Sequence, residues 1–143
     1  MDNMGGPRTT IRIMTDVLLA VDDDEARARA QAADVATLDW DVVEATVLHV
    51  FTDNAEGASV SQFGPAREAR EVLEDAGIEV TLAEDSGDPG QRVVEHARKS
   101  GADLISVAGR KRSPAGKAVF GSVSQSVMLN AEVPTLYCPV EAE

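Results

Sequence analysis

Four cationic side chains crowd the stretch "AGRKRSPAGKAVFGSVSQS", residues 108–126: Arg110, Lys111, Arg112 and Lys117, interspersed with Gly109, Gly116 and Gly121 and with no acid. Glycines let backbone N–H groups come close to an anion, and a helix that begins at the end of such a segment adds its dipole. The run Gly121, Ser122, Val123, Ser124 reads as that helix start, with hydroxyl groups at hand. The chemistry these residues support is the binding of a phosphate or a similar anion. The 143-residue chain around them carries 25 Asp and Glu against 13 Lys and Arg, a formal net charge of -12. Without the four cations of this segment, 9 cations would face the same 25 acids.

Two familiar phosphate motifs do not fit. A P-loop places four residues between its first glycine and Gly-Lys, followed by Ser or Thr. Here six residues separate Gly109 from Gly116, and Ala118 follows Lys117. A dinucleotide fingerprint belongs after the first strand, where this chain has "DDDEA" and no glycine. That triplet, Asp22, Asp23 and Asp24, is either a solvated, helix-capping cluster or an invitation to a divalent cation.

The remaining reactive side chains are scattered. His49 sits in an apolar strand and His96 on a helix, so both read as structural or surface histidines and not as metal ligands. Trp40 and Phe63 read as packing residues, and Ser113 before Pro114 as a turn. Cys138 is the only cysteine, so no disulfide forms within the chain and a reducing, cytoplasmic compartment is expected. No Ser-His-Asp or paired-carboxylate arrangement stands out, and no catalytic residue is assigned.

Composition narrows the classes. With 43% hydrophobic and 27% charged residues the chain is a globular protein with room for one domain. No apolar run approaches the roughly 20 residues that span a bilayer. "MDNMGGPRTTIR" lacks the apolar core of a signal peptide, and residues 1–14 are expected to be a mobile leader before a single domain over 15–143. The acidic surface repels nucleic acid and anionic membrane. Only three of the 13 cations are lysine, which suits a protein from a salt-rich, halophilic cytoplasm; an ordinary acidic protein is the alternative.

The elements that must position these residues alternate. "DVLLAVD" (Asp16 to Asp22) is a near-continuous apolar strand, followed by an alanine-rich helix with Ala26, Ala30, Ala33 and Leu38 expected on its core side and Asp23 or Asp24 as cap. Val42 to Val50 is the second strand, and 52–62 a long polar loop. "GPAREAREVLEDAG" is a helix opened by Pro65 and stopped by Gly77, and "IEVTLA" is a strand. In "GDPGQRVVEHARKSG", Asp88 caps, Pro89 opens and Gly101 ends a third helix. "ADLISVAG" is a strand, "GSVSQSVMLNAE" the last helix, and "VPTLYCP" the last strand, where Pro139 requires an end or an edge. This order predicts an α/β fold: an open, parallel, five-stranded sheet with helices on both faces. Ligands of such sheets sit beyond the carboxyl ends of the strands, where the winding reverses. The acid triplet, the loop after Val50 and the loop after Ala108 all lie there.

The pattern resembles the universal stress protein family over about Thr15 to Val140. A strand ending in glycine, a flexible cationic segment containing Arg-Ser-Pro, and Gly-Ser opening a helix carry the resemblance, with "VLLAVD", "VLHV", "GDPGQRVVEHARKSGADLISVAGR" and "VPTLYCPV" in the family's order. The resemblance implies a Rossmann-like, stress-response regulatory protein that binds ATP, with Mg²⁺ or Mn²⁺, between the first and fourth strands. It places Asp22 against the adenosine with Ala20 lining the pocket, the Val50 backbone at the adenine, Gly109 near the ribose, and Gly121 with Ser122, Val123 and Ser124 at the phosphates. It also implies a homodimer through the last strand, and at most slow ATP hydrolysis or autophosphorylation.

Two departures from the family pattern matter. Arg112 occupies its second glycine position, and eight residues rather than nine separate that position from Gly121. Gly116 is expected to recover part of the lost flexibility; alternatively an arginine, Arg112 or Arg110, clamps a phosphate directly, since its fork matches those oxygens. "DDD" stands where many members have Asp-Gly-Ser. A nucleotide-free dimer whose loop touches an acidic partner is therefore the rival reading. "VLLAVDDDEARARA" also resembles a receiver domain, but no lysine follows the last strand. An ATP-using synthetase would need further motifs.

Overall fold

The computed structural model describes residues 15–38, 43–52, 59–110 and 121–140. The expected leader and Trp40 lie outside them, as do Lys111, Arg112, Ser113, Gly116 and Lys117 of the cationic segment. Within the described residues the order is β1 (Thr15–Ala20), α1 (Glu25–Ala36), β2 (Val43–Phe51), α2 (Gly64–Asp75), β3 (Glu79–Ser86), α3 (Pro89–Ser100), β4 (Leu104–Arg110), α4 (Ser122–Asn130) and β5 (Thr135–Val140), with a 3-10 turn at Val60–Gln62. The strands form one parallel sheet in the order β3-β2-β1-β4-β5. This is the open α/β architecture expected from the alternation.

Helices on both faces explain the apolar runs. Val17, Leu18 and Leu19 are consecutive in β1 and all buried, because successive side chains enter opposite cores. On one face Val17 and Leu19 join Ala45 and Val47 of β2 against Ala28, Ala32 and Val35 of α1 and Ala66, Ala69 and Leu73 of α2. On the other, Leu18, Leu48, Val50, Ile105 and Val107 meet Val93 and Ala97 of α3 and Val127 of α4. Each buried Val or Leu contributes roughly 1.5–3 kcal/mol. β3, at one edge, keeps more of an in–out alternation, with Val80 and Leu82 half-buried and Glu79 and Thr81 exposed.

Local chemistry sets the helix ends. The Asp24 carboxylate accepts from the Arg27 N–H at 2.8 Å and opens α1. Asp88 does the same for α3 through the Gln91 N–H at 3.0 Å, with Pro89 in the first helical turn. Gly101 ends α3 at φ 74°, a left-handed conformation that costs glycine nothing.

Three expectations are corrected. β1 ends at Ala20, two residues before Asp22. α4 ends at Asn130, and its Leu129 is 76% exposed. α1 buries Ala28, Gln31, Ala32 and Val35, while Ala26 and Ala33 face solvent and Ala30 is only half-buried. An alanine-rich helix has several small faces; Val35, the only branched apolar residue in α1, and the hydrogen bonds of Gln31 select the buried one.

The chain runs from β1 through β2 to β3 on one side and then crosses to place β4 on the other side of β1. The winding reverses between β1 and β4, so a crevice is expected at their carboxyl ends.

Candidate functional site

The crevice begins where two strands part. The ladder between β1 and β4 covers only Val17, Leu18 and Leu19 against Leu104, Ile105 and Ser106. Beyond it, Gln31 of α1 takes over. Its Nε2 lies 3.2 Å from the Ala20 carbonyl oxygen, 2.9 Å from that of Ser106 and 2.9 Å from Ser106 Oγ. Gln31 is 1% exposed, so its amide supplies, inside the protein, the donors that the separating strands no longer give each other.

The turn after β1 is pinned from the other side. The Val21 N–H donates to the Leu48 carbonyl at 3.0 Å, and His49 Nδ1 lies 2.9 Å from the Val21 carbonyl oxygen. The His49 ring stacks on Phe63 with a centroid distance of 4.0 Å and meets Phe51 edge-on. Asp22 follows, with Oδ1 accepting from the Asp24 N–H at 2.9 Å and Oδ2 from Arg27 Nε at 2.8 Å. That hydrogen bond, ahead of the charges of the neighbouring acids, pushes the Arg27 guanidinium further above its ordinary range. Both side chains are partly exposed, so the pair contributes at most about 1 kcal/mol. Its larger effect is local: Arg27 partly neutralises the acid triplet, of which Asp24 also caps α1, the helix-capping alternative expected from the sequence. Among the described residues no group of three or more His, Cys, Asp or Glu is placed to hold a metal ion.

A cleft of about 370 Å³ opens over these residues. Leu48, Val50, Val93 and Val107 give it apolar walls, and Ala20, Asp22 and Asp23 form one rim. Gly121, Ser122, Val123 and Ser124 form another. α4 starts there with Gly121 as its cap residue, which has no side chain to cap the first N–H groups, so the positive end of the helix lies at the cleft. Ser124 is buried, and its hydroxyl donates to the Ala108 carbonyl at 2.8 Å. Its proton ties α4 to the end of β4, leaving the backbone N–H and Ser122 for an anion.

The fold thus gathers Ala20, Asp22, Val50, Gly121, Ser122, Val123 and Ser124 around one hollow. Gly109 does not line it: the Tyr137 ring of β5 lies against its backbone. The Arg110 backbone closes β4, whereas Arg112 and Gly116 lie outside the described residues. Gln31, His49 and Arg27, which the sequence reading did not assign to the site, hold its β1 side. Cys138 is buried behind it, 3.5 Å from Ser106 Oγ, and burial pushes its thiol up to about 11, which keeps it protonated and inert at neutral pH. Geometrically the cleft offers an apolar slot for a flat ring, a carboxylate beside it for hydroxyl groups and a helix start for an anion.

The sequence model described as Universal stress protein family matches residues 14–139. The stress response protein NhaX of Bacillus subtilis is 32% identical over 69 residues, 48% of this chain; the match spans only 42% of the curated relative's length. A universal stress protein from Archaeoglobus fulgidus superposes with a TM-score of 0.70 at 25% identity, covering 87% of this chain and 98% of that one. A universal stress protein solved in complex with cAMP gives 0.68 at 20% identity over 91% of this chain and 98% of its own. A universal stress protein from Archaeoglobus fulgidus in complex with dAMP gives 0.65 at 22% over 87% and 98%.

Proposed function

The chain belongs to the universal stress protein family, and on that premise we propose that it is a stress-response regulatory protein that binds an adenine nucleotide in the cleft between β1 and β4. The observation that carries this reading is the convergence, on one hollow of about 370 Å³, of apolar walls, the Asp22 rim and the start of α4 at Gly121. These match in kind the base, the sugar and the phosphate of a nucleotide. Relatives of the same fold have been solved with cAMP and dAMP, which supports an adenine ring in the slot.

Within this reading the nucleotide is ATP, with Mg²⁺ or Mn²⁺ accompanying its phosphates. The cations of residues 110–117 neutralise the phosphate charge that the rest of the acidic chain repels. The protein acts in the cytoplasm of a salt-rich cell and pairs with a second copy through β5. No described helix is long and apolar enough to cross a membrane.

The test starts from protein purified at high salt and denatured, with the released small molecules identified by mass. A stoichiometric adenine nucleotide is expected. If none is released, titration with Mg-ATP and with AMP by calorimetry decides, and no heat at millimolar ligand overturns the reading in favour of a nucleotide-free, partner-binding module. Gly121→Trp is the companion variant. Gly121 has φ -70°, an ordinary conformation, and no heavy atom within 4 Å of an added Cβ, so the fold should persist while the filled rim excludes the nucleotide.

A further inference from the structure

The Val21 peptide is held at both of its polar atoms. Its N–H goes to the Leu48 carbonyl at 3.0 Å and its C=O receives His49 Nδ1 at 2.9 Å. A carbonyl only accepts, so the His49 nitrogen facing it carries the proton. The Val21 C=O and the Asp22 N–H belong to one planar unit, so fixing that oxygen fixes the direction in which the chain enters Asp22. The ring is itself fixed, stacked on Phe63 at 27° between planes and edge-on to Phe51 at 80°. Glu84, opposite His49 in the β2–β3 register, is engaged elsewhere, accepting from the Val60 N–H at 2.8 Å. Nothing in the β1–β4 pairing holds Val21, because that ladder ends at Leu19.

We propose that His49 is a positioning residue for the cleft: its Nδ1–H grips the Val21 carbonyl and thereby sets the Asp22 carboxylate against the ligand. This rests on the adenine-nucleotide reading of the cleft. The donor, and not the ring, is the required part. Asparagine carries its amide nitrogen at the same distance from the backbone as Nδ1, whereas leucine fills similar space without a donor and glutamine holds its amide one atom farther out.

Wild type, His49→Asn, His49→Leu and His49→Gln are titrated with AMP by calorimetry. Amide hydrogen exchange at Asp24, whose N–H bonds Asp22 Oδ1, is followed in the same proteins without ligand. Leu and Gln should weaken AMP binding up to about tenfold, the scale of one lost hydrogen bond, and speed exchange at Asp24. Asn should restore both. Leu and Gln variants that match wild type in affinity and exchange overturn the proposal, and so does an Asn variant as impaired as Leu. Should Leu fail to fold, Gln against Asn makes the same comparison. A wild type that takes up no adenine nucleotide overturns the reading of the cleft, and the exchange data alone then decide whether His49 holds the turn.

Discussion

Tyr137 lies so close to the backbone of Gly109 that a methyl group on that glycine would stand 2.6 Å from its Oη and 2.9 Å from Cε1. A side chain of the neighbouring strand thus occupies the space where a side chain of Gly109 would stand. Its backbone is ordinary, so the requirement is one of space alone. Gly109→Ala should cost about 1–3 kcal/mol through overpacking. In a Tyr137→Ala background the same change should cost much less, and urea unfolding of the four proteins measures the coupling. Equal costs in both backgrounds would separate the two residues.

Gln31→Leu removes the donors that serve Ala20 and Ser106 and puts an apolar side chain of similar size at a 1% exposed position. The buried Ser106 carbonyl loses this donor, at about 1–3 kcal/mol, and the part-buried Ala20 carbonyl loses a weaker one. Denaturant titration should show a lowered midpoint with an unchanged slope. An unchanged midpoint would mean that the parted strands do not depend on this amide.

Arg27→Met tests charge against structure. The ion pair with Asp22 is partly exposed, so stability should change by no more than about 1 kcal/mol. Nucleotide affinity should fall more, because the acids on one rim of the cleft are left without their cation when an anionic ligand enters. Raising salt from about 0.1 to 1 M shortens the screening length from roughly 10 to 3 Å. Calorimetry should therefore show the deficit shrinking across that range; a constant deficit would point to shape instead of charge.

Cys138 gives a pH dependence with a definite sign. Burial lifts its thiol from an ordinary 9.0 to about 11. Between those values the unfolded chain ionises its thiol while the folded chain keeps the proton, so stability falls as pH rises through that window. Tyr137, also raised by burial, adds to the decline in the same direction. Thermal unfolding from pH 8 to 11 should show a shallower loss in Cys138→Ala than in wild type, and parallel curves would assign the decline to other groups.

Much of this molecule could be read from residue order, and the misses have physical causes. Asp24, Asp88, Pro89 and Gly101 signal their helix ends because capping and backbone handedness act over a few residues. The apolar runs of β1 and β4 announce burial on both faces, and the order of elements fixes where a cleft must open. The buried face of α1 was missed because alanine gives no contrast between faces, and because Gln31 is a polar residue that earns its burial only through partners distant in sequence. The Gly109–Tyr137 contact is equally long-range, and Arg27 looked like one more surface cation in a helix of mixed charge. Seven residues named through family resemblance line the cleft; the side chains that hold it in shape were not named.

The two rims of the sheet are chemically unlike. β3 carries Glu79, Glu84 and Asp85 along one outer strand, so two such strands brought side by side repel. β5, "TLYCPV", bears no charge, and Pro139 withholds one backbone donor near its end. A second copy laid along β3 would bring like charges together, whereas β5 sets no charge of its own against an approaching strand. The acids of β3 thus guard one open edge of the sheet against a further strand, while at β5 the missing proline donor is the guard.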